Sequence, residues 1–440
     1  MMYVFVVFVM VCSFLAFLAQ DVLARDWYIK QTGVNNANCT VGAPCQTFAF
    51  MLPQVVAGDN VLLDCTGGVF TQTARLGVSI TVNDGTVGNV ITMKTTPACV
   101  GVSEMRPSSG VEVLGLNGVV YWTFQDFVID GRSLGNASAP AGIGMGAGVA
   151  NIIISNMLIR DVSNSVGTNS FGIATGSSSV NVRVENSVVD GTHQTAGDHE
   201  GSHCLYVSGG SDFTAVGSTF KNCGGFGIQL NASSASNGHY IARNRVFNNG
   251  LRAAGSGGGI TLYHFITGSR VEANLIYKNI GPGFLVEGSN NGNHQIWNNT
   301  IVGNNPQCFT GGVDSGHPTS NVSFRNNICE ANSSGAFFRA FSSGCTITNN
   351  IFSDGTAFSN TGSGNTVSGN STSDPLLVNI AADDYHLQIG SPAIGFGVSG
   401  LGVVSDIDGV VYSVPPDVGA YVSGSAPAPA VFSPRRVVSY

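Results

Sequence analysis

The sequence predicts an all-β protein built as a parallel β-helix, a solenoid whose coils stack along one axis. Three observations predict it: a repeated pattern of short strands, Gly and Asn turns that bound each strand, and very little charge. Of the 440 residues, 59 are glycine. Only 10% of the residues are charged, against about 25% in ordinary soluble domains. Such a composition favours short strands and many turns over helices.

The repeat becomes visible when the middle of the chain is cut into successive segments. An alternating apolar stretch, an Asn, a second apolar pair and a polar turn recur in "NIIISNMLIRDV", "NVRVENSVVDGT", "HYIARNRVFNNG", "SRVEANLIYKNI" and "HQIWNNTIVGNN". Most of these segments precede a further short strand, such as "FGIQLN" or "GGITLYH". Alternation indicates a strand. A repeat of two or three strands with no helical segment is typical of a parallel β-helix.

A recurring asparagine gives the period of the coils. Spacings between 23 and 31 residues separate the positions that we align as equivalent, which are Asn156, Asn186, Gly217, Asn244, Asn274, Asn299, Asn326 and Asn349. Roughly ten coils from Val119 to Leu377, stacked about 4.8 Å apart, give a rod about 50 Å long. Stacked Asn amides pair buried backbone groups and each other, so we interpret this ladder as structural. Alternation also predicts the side chains that fill the bore: Ile228, Leu230, Ile260, Leu262, Phe284 and Val286.

The N-terminus predicts secretion. An apolar run ends at Val22, Leu23 and Ala24, which places small residues where a signal peptidase requires them. We therefore expect residues 1–24 to be a signal peptide and the mature protein to be extracellular. The run is also long enough to serve as an uncleaved membrane anchor. A net charge of -8 argues against a positively charged surface that would bind nucleic acid or an anionic membrane.

Cysteine usage agrees with an oxidising compartment. The ten cysteines include Cys12 of the signal peptide, which leaves nine, and they show no paired Cys/His spacing for zinc. We expect disulfides, with Cys39–Cys45 and Cys204–Cys223 as two pairs and one thiol left over. Glycan acceptor motifs, which would make the protein a glycoprotein, occur at Asn38, Asn136, Asn231, Asn298, Asn321, Asn332 and Asn370.

Both ends of the chain resemble secreted right-handed parallel β-helix proteins of the pectate-lyase-like superfamily. The N-terminal match is "WYIKQTGVNNANCTVGAPCQTFAFMLPQVVAGDNVLLDCTGGVF", with a capping helix around Gln46 to Val56. The C-terminal match is "GSPAIGFGVSGLGVVSDIDGVVYSVPPDVGAY", although Gly395 and Val422 occupy positions that are usually acidic. The resemblance implies a right-handed solenoid. Its divisions are an N-terminal cap with the first coils at 25–118, central coils at 119–378, a closing segment at 379–424 and a flexible tail at 425–440.

The resemblance specifies the fold and leaves the activity open, because this fold carries lyases, hydrolases, epimerases, esterases and adhesins. The central coils lack the Asn-Thr-Asp, Asp-Asp and Gly-His-Gly motifs of polygalacturonases. The pectate-lyase Arg-x-Pro-x-x-Arg and the pectin methylesterase signatures are also missing. An inverting hydrolase needs two carboxylates about 6.5 to 9.5 Å apart. Asp198 and Glu200 are the candidates, but two neighbours in one loop are hard to place across a substrate.

Function in a solenoid concentrates where turn insertions accumulate on one flank. The longest insertions precede the "GI" strands and are Ser133–Met145, Ser163–Ser170, Gly191–Ser202 and Leu251–Gly257. They should form the wall of a groove. With Leu205 and Val207 inside, strand alternation turns Tyr206 outward. Gln229, Thr261 and Leu285 then line the same surface on the following coils.

The groove predicts the site residues. Removing the C5 proton of a uronate requires a base, a group that stabilises the enolate and an acid for the leaving oxygen. We predict His203 as the base and Tyr206 as the proton donor or partner, with His199 and His264 as alternative bases. The expected substrate-binding residues are Lys221 and Arg252, which would neutralise the carboxylate, and Gln229 and Thr261.

These residues favour a secreted lyase that cleaves an acidic polysaccharide by β-elimination. The alternatives are a non-catalytic adhesive or glycan-binding solenoid, a C5-epimerase that uses the same proton abstraction, and a glycosidase. No cofactor is required by the residues, although loop carboxylates and carbonyl oxygens suit calcium. The expected partner is an acidic glycan, and the oligomeric state stays open.

Overall fold

The computed structural model describes residues 24–71, 74–106, 112–132, 141–164, 169–194, 201–251, 257–353 and 358–425. Within these ranges the chain forms stacked coils whose strands build three long parallel sheets. Each complete coil contributes one strand to each sheet in turn, which confirms the predicted all-β solenoid.

The first long sheet has 13 strands in the described residues. Its strands are Asp26–Lys30, Asn60–Asp64, Ile91–Thr95, Val120–Gln125, Ala150–Ser155, Val180–Glu185, Thr214–Val216, Tyr240–Ala242, Arg270–Glu272, Gln295–Trp297, Ser323–Arg325, Thr346–Thr348 and Thr366–Ser368. The second has 10, which are Glu104–Met105, Val128–Asp130, Leu158–Asn164, Val188–Gln194, Thr219–Cys223, Arg245–Phe247, Leu275–Tyr277, Thr300–Val302, Ile328–Glu330 and Ile351–Phe352.

The third long sheet carries the candidate site and has 11 strands in the same ranges. They are Ala74–Leu76, Leu114–Leu116, Ala141–Met145, Phe171–Thr175, Leu205–Val207, Phe226–Leu230, Gly258–Leu262, Phe284–Val286, Gln307–Gly311, Ser334–Phe338 and Ser359–Asn360. Short two-stranded pairings join Ser236–Asn237 to Ile266–Thr267, Thr319–Ser320 to Ser342–Ser343, and Leu377–Asn379 to Asp384–Leu387. We refer to the long sheets by their strand numbers.

The N-terminal cap contains the predicted helix in shortened form. An α-helix at Phe48–Met51 continues into a 3-10 turn at Leu52–Gln54, inside the expected Gln46 to Val56. Phe48 and Met51 are buried in the core of the first coils. Other 3-10 turns lie at Cys65–Gly67, Pro97–Cys99 and Ile380–Ala382. Among the described residues, no helix has the length and apolar character needed to cross a membrane.

The bore is filled as the alternation predicts. All six predicted bore residues have no exposed surface: Ile228, Leu230, Ile260, Leu262, Phe284 and Val286. Further along, Phe284, Phe309 and Phe338 stack on successive coils with ring centroids 6.0 and 4.6 Å apart. Continuous burial of this kind stabilises each coil through its neighbours.

The asparagine ladder is present, but five of the eight aligned positions are wrong by one residue. The buried ladder runs through Asn244, Asn274, Asn299, Asn327, Asn350 and Asn370, and each side-chain oxygen accepts a backbone N–H of the preceding coil. The residue before each ladder position has a left-handed backbone, which Gly and Asn adopt most easily. The five misplaced positions all have this left-handed backbone, with φ between 47° and 60°: Asn156, Asn186, Gly217, Asn326 and Asn349. Because Asn is favoured both at the ladder position and at the residue before it, the sequence repeat does not distinguish the two positions.

The C-terminal segment runs back along one side of the rod. After the antiparallel pair Leu377–Asn379 and Asp384–Leu387, the chain forms a second apolar cluster against strands of the 10-stranded sheet. Arg245 of that sheet pairs with Asp408 at 2.8 Å. The predicted closing segment therefore covers a flank of the rod that is separate from the 11-stranded sheet.

The described residues contain four disulfides. Both predicted pairs, Cys39–Cys45 and Cys204–Cys223, are confirmed. The other two are Cys65–Cys99 and Cys308–Cys329. The thiol left over is Cys345, which is buried.

Candidate active site

The outer face of the 11-stranded sheet carries an aligned row of side chains, one from each of seven coils. In strand register, this outer row consists of Ala174, Tyr206, Gln229, Thr261, Leu285, Thr310 and Phe337. The prediction that Tyr206, Gln229, Thr261 and Leu285 share one face is therefore confirmed. Parallel pairing brings them together, although more than 160 residues separate the ends of the row.

An aromatic platform lies at one end of the outer row. Its members are Phe171, His203, Tyr206 and Phe226. The Phe171 and Tyr206 rings stack with centroids 5.0 Å apart, and the His203 ring lies 5.7 Å from Tyr206. Phe171 and Tyr206 are half-buried, so part of each ring reaches the surface. Such partly exposed rings suit the apolar faces of sugars.

His203 is held as a neutral member of this platform. It is buried, and its Nδ1 accepts a hydrogen bond from the backbone N–H of Phe226 at 2.9 Å. The ring proton therefore lies on Nε2. Burial lowers the pKa of His203 to about 3. The base role of His203 stays a prediction.

Tyr206 and the polar members of the row differ in how their polar atoms are paired. Burial raises the pKa of Tyr206, while a hydrogen bond from Asn231 opposes that shift. Gln229 Oε1, Thr261 Oγ1 and Thr310 Oγ1 are buried and have no hydrogen-bond partner among the described residues. Thr261 is 1% exposed and Thr310 is 5% exposed. Buried polar atoms are nearly always paired, so a ligand group or a water molecule that reaches this row can pair with these three atoms.

A group of polar and charged side chains follows the carboxyl ends of the same strands. This carboxyl-edge cluster consists of Tyr263, His264, Glu287, Asp314, His317 and Arg339. The strands that precede them end at Leu262, Val286, Gly311 and Phe338. The cluster therefore lies along the edge of the sheet that is opposite the predicted insertions.

A hydrogen-bonded chain of three side chains forms the centre of the cluster. The Tyr263 hydroxyl lies 3.2 Å from His317 Nε2, and His317 Nδ1 lies 2.8 Å from Asp314 Oδ1. Hydrogen bonds from His317 and from the backbone of Gly316 lower the pKa of Asp314. The Asp314 carboxylate is thus ionised at neutral pH and accepts the Nδ1 proton, which leaves Nε2 to accept from Tyr263.

Glu287 and His264 complete the cluster. Burial raises the pKa of Glu287, and the neighbouring ionisable groups of His317, Asp314 and Arg339 modify that shift. Burial, and to a lesser extent His317, lowers the pKa of His264. His264 Nδ1 accepts the backbone N–H of Ser289 at 2.9 Å, so its Nε2 carries a proton. The pKa of Glu287 is raised and that of Asp314 is lowered. Opposite shifts of this kind let one carboxyl group keep its proton to a higher pH while the other stays ionised.

The expectation that Lys221 lies in the groove is wrong. Lys221 belongs to the 10-stranded sheet, where its Nζ pairs with Asp190 Oδ2 at 3.1 Å. His199 and Arg252 lie outside the described residues, as do parts of the four insertions. No three His, Cys, Asp or Glu side chains of the described ranges are grouped closely enough to hold a metal ion. Calcium binding stays a prediction.

Sequence reasoning named His264 and missed the other five members of the cluster: Tyr263, Glu287, Asp314, His317 and Arg339. One signal was available, because Tyr263 directly follows a predicted strand, and strand ends are common places for functional residues. Asp314 and His317 are three residues apart in a Gly-rich loop, which by itself is typical of a turn.

Comparisons with known proteins agree with this architecture. A family model described as a right-handed beta helix region matches residues 109–266. None of the curated proteins compared matches the chain at the sequence level. Among solved structures, the pectate lyase Pel9A is similar over 91% of this chain and 96% of its own, with a TM-score of 0.63 and 17% identity.

Two further structures are similar at lower TM-scores. A rhamnogalacturonan lyase aligns over 82% of this chain and 92% of its own, with a TM-score of 0.52 and 15% identity. The lacto-N-biosidase of Eubacterium ramulus aligns over 79% of this chain and 67% of its own, with a TM-score of 0.50 and 14% identity. The protein is thus a right-handed parallel β-helix. Its fold is similar to those of the pectate lyase and the rhamnogalacturonan lyase, in agreement with the resemblance at the two ends of the sequence.

Proposed function

We propose that the protein is a secreted, polysaccharide-active lyase that cleaves an acidic glycan by β-elimination on the outer face of the 11-stranded sheet. Four disulfides in the described residues support an extracellular location. The fold is shared with proteins named as lyases of pectate and of rhamnogalacturonan. In this proposal His203 and Tyr206 belong to the sugar-binding surface, and the chemistry takes place at the carboxyl-edge cluster.

The chain from Tyr263 through His317 to Asp314 is the observation that carries the proposal. Because the Asp314 carboxylate holds Nδ1 of His317, Nε2 is oriented to accept the phenolic proton of Tyr263. Transfer of that proton leaves a phenolate oxygen, which can remove the C5 proton of a bound uronate. A base oriented by a third group is the arrangement that activates side chains in many enzymes.

Glu287 is the proposed acid. The C5–H bond breaks and its proton passes to the Tyr263 phenolate, while the electron pair moves into the carboxyl group of the uronate as an enolate. That pair then forms the double bond between C4 and C5 as the C4–O bond breaks, and the leaving oxygen takes a proton from Glu287. Burial raises the pKa of Glu287, so this carboxyl keeps its proton to a higher pH than an ordinary glutamate.

Two further members of the cluster stabilise negative charge. Arg339 is exposed and interacts electrostatically with Glu287, and in this proposal its guanidinium neutralises the carboxylate of a uronate. The Nε2–H of His264 is a neutral donor at the same edge. Donors and cations fixed in advance where charge develops lower the barrier without reorganisation.

A non-catalytic glycan-binding role is the second candidate. The aromatic platform and the unpaired atoms of Gln229, Thr261 and Thr310 favour it, because they provide sugar contacts and no proton transfer. Both candidates need the same groove, and they differ in whether the carboxyl-edge cluster acts on the sugar.

A panel of soluble uronate polymers separates these functions. The proposal predicts an ultraviolet-absorbing unsaturated product together with new reducing ends from at least one polymer. New reducing ends without that absorbance would indicate a glycosidase, and a changed C5 configuration without cleavage would indicate an epimerase. Binding with no product at all would favour the second candidate. Each of these three results would overturn the lyase proposal.

A further inference from the structure

We infer that the groove binds a mixed glycan, with uncharged sugar residues along the outer row and a uronate residue at the carboxyl-edge cluster. The placement of the uronate rests on the proposed function. The neutral character of the row stands on its own observations, which are the distribution of cationic side chains and the unpaired polar atoms.

Cationic side chains are almost missing from the described part of the 11-stranded sheet. Among the Lys and Arg residues that the structure describes, only Arg75 and Arg339 belong to a strand of that sheet or directly follow one. Arg75 is already paired with Glu112 at 3.3 Å. The other described cations lie on or beside the 13- and 10-stranded sheets and are Arg25, Lys30, Lys94, Arg106, Arg132, Arg160, Arg183, Lys221, Arg243, Arg245, Arg270, Lys278 and Arg325.

The outer row between the platform and the cluster is therefore uncharged. Its polar groups are the amide of Gln229 and the hydroxyls of Thr261 and Thr310. A homopolymer of uronate would place a carboxylate on every residue, and each one brought against the row would lose hydration without gaining a cation from the described side chains between the platform and the cluster. Sugar hydroxyls, by contrast, both donate to and accept from such groups.

The unpaired atoms indicate where the uncharged residues bind. Gln229 and Thr310 are three coil steps apart, which is about 14 Å along the rod and long enough for more than one sugar residue. The two threonine hydroxyls lie below the surface, next to the half-buried side chains of Gln229, Leu285 and Phe337. A sugar hydroxyl that enters between these side chains gives the buried atoms the partner that they lack within the described residues.

Binding by calorimetry tests the inference on the full mature protein. The probes are three soluble glycans of similar length: one in which a uronate alternates with an uncharged sugar, a homopolymer of the same uronate, and a polymer of the uncharged sugar. We expect the mixed glycan to bind about tenfold more tightly than the homopolymer. The double variant Thr261→Val/Thr310→Val should weaken that binding about tenfold, since two hydrogen bonds are lost.

Two further variants control this experiment. Thr123→Val changes a half-buried threonine of the 13-stranded sheet and should leave affinity unchanged. Gln229→Leu removes the third unpaired atom and tests the row independently if the double variant does not fold. Equal or tighter binding of the homopolymer, wild-type affinity of the row variants, or no binding of any probe would overturn the inference.

The outcomes also separate this inference from the proposed function. Tight binding of the homopolymer with formation of an unsaturated product would overturn the neutral row and leave the lyase in place. Tight binding of the mixed glycan without any unsaturated product would support the row and contradict the lyase. Preference for the wholly uncharged polymer would support the row and contradict the placement of a uronate at the cluster.

Discussion

The Tyr263 hydroxyl lies 3.2 Å from Nε2 of His317, although 54 residues separate the two in the chain. Their proximity follows from the stacking of coils, which brings the ends of successive strands to one edge. If this pair removes the C5 proton, Tyr263→Phe should lower kcat by about 10² to 10⁴-fold, the range typical of a lost general base. Initial rates of unsaturated product formation measure this effect.

The control for that variant is Tyr28→Phe, in the first strand of the 13-stranded sheet and remote from the cluster. It should keep the wild-type rate, and both variants should keep the wild-type melting temperature. A Tyr263→Phe enzyme with an unchanged rate would remove Tyr263 from the mechanism.

Acid should destabilise the fold through its buried histidines. His294 has no exposed surface, its Nδ1 accepts the backbone N–H of Ser269 at 3.2 Å, and burial lowers its pKa to about 3. Below about pH 6.5 the unfolded chain takes up a proton at this position and the folded protein does not. The free energy of unfolding should therefore fall as the pH drops from about 6.5 to about 3, by up to about 1.4 kcal/mol per pH unit for this residue.

The variant His294→Gln isolates that contribution. Glutamine keeps an acceptor for Ser269 but does not titrate, so the slope of unfolding free energy against pH should become smaller. Urea unfolding at several pH values provides the measurement. The same slope in the variant and the wild type would show that acid acts on other groups.

The buried ladder should contribute strongly to stability. The Asn274 side chain accepts the backbone N–H of Asn244 and donates to the carbonyl of Ile241 and to Asn299 Oδ1. Asn274→Ala removes these three buried hydrogen bonds and leaves the Asn244 N–H without its acceptor, so it should cost about 3 kcal/mol or more in the free energy of unfolding. Asn60→Ala, which breaks one exposed bond to Asp26, should cost less than about 1 kcal/mol. Similar losses in the two variants would contradict the structural role of the ladder.

Replacement of an unpaired threonine of the outer row should affect stability differently from replacement of a threonine whose hydroxyl is hydrogen-bonded. Thr261→Val removes a buried hydroxyl without a described partner and should leave the melting temperature unchanged or higher. Thr319 is also buried, and its hydroxyl donates to the Val286 carbonyl and accepts from the Gly312 N–H. Thr319→Val should therefore cost about 1 to 3 kcal/mol. Equal destabilisation by both variants would mean that Thr261 is paired within the fold.

The sequence predicted the features that depend on periodicity. Alternation within strands and a near-constant coil length together determine the register of Tyr206, Gln229 and Thr261, and the same pattern identifies the bore residues. The alternation pattern did not determine where one sheet ends and the next begins. Lys221 was therefore assigned to the groove, although the chain changes sheets between Cys223 and Phe226.

The carboxyl-edge cluster depends on contacts that no local pattern encodes. Asp314 and His317 lie in a loop that follows the strand Gln307–Gly311, and only coil stacking brings His317 to Tyr263, two coils earlier. Distances across coils depend on loop conformation, which varies more than strand register. The pairing of Tyr263 with His317 is for this reason a result of the structure.

A crystal structure of the Tyr263→Phe variant with a bound oligosaccharide of the mixed glycan tests together the binding of sugar on the outer row and the position of the uronate at Tyr263. We predict a sugar chain along the outer row, with uncharged residues over Gln229, Thr261 and Thr310 and a uronate C5 next to the aromatic ring at position 263. An oligosaccharide bound to the 13- or 10-stranded sheet instead would show that the groove lies on a different face of the rod, and the proposed function would be wrong.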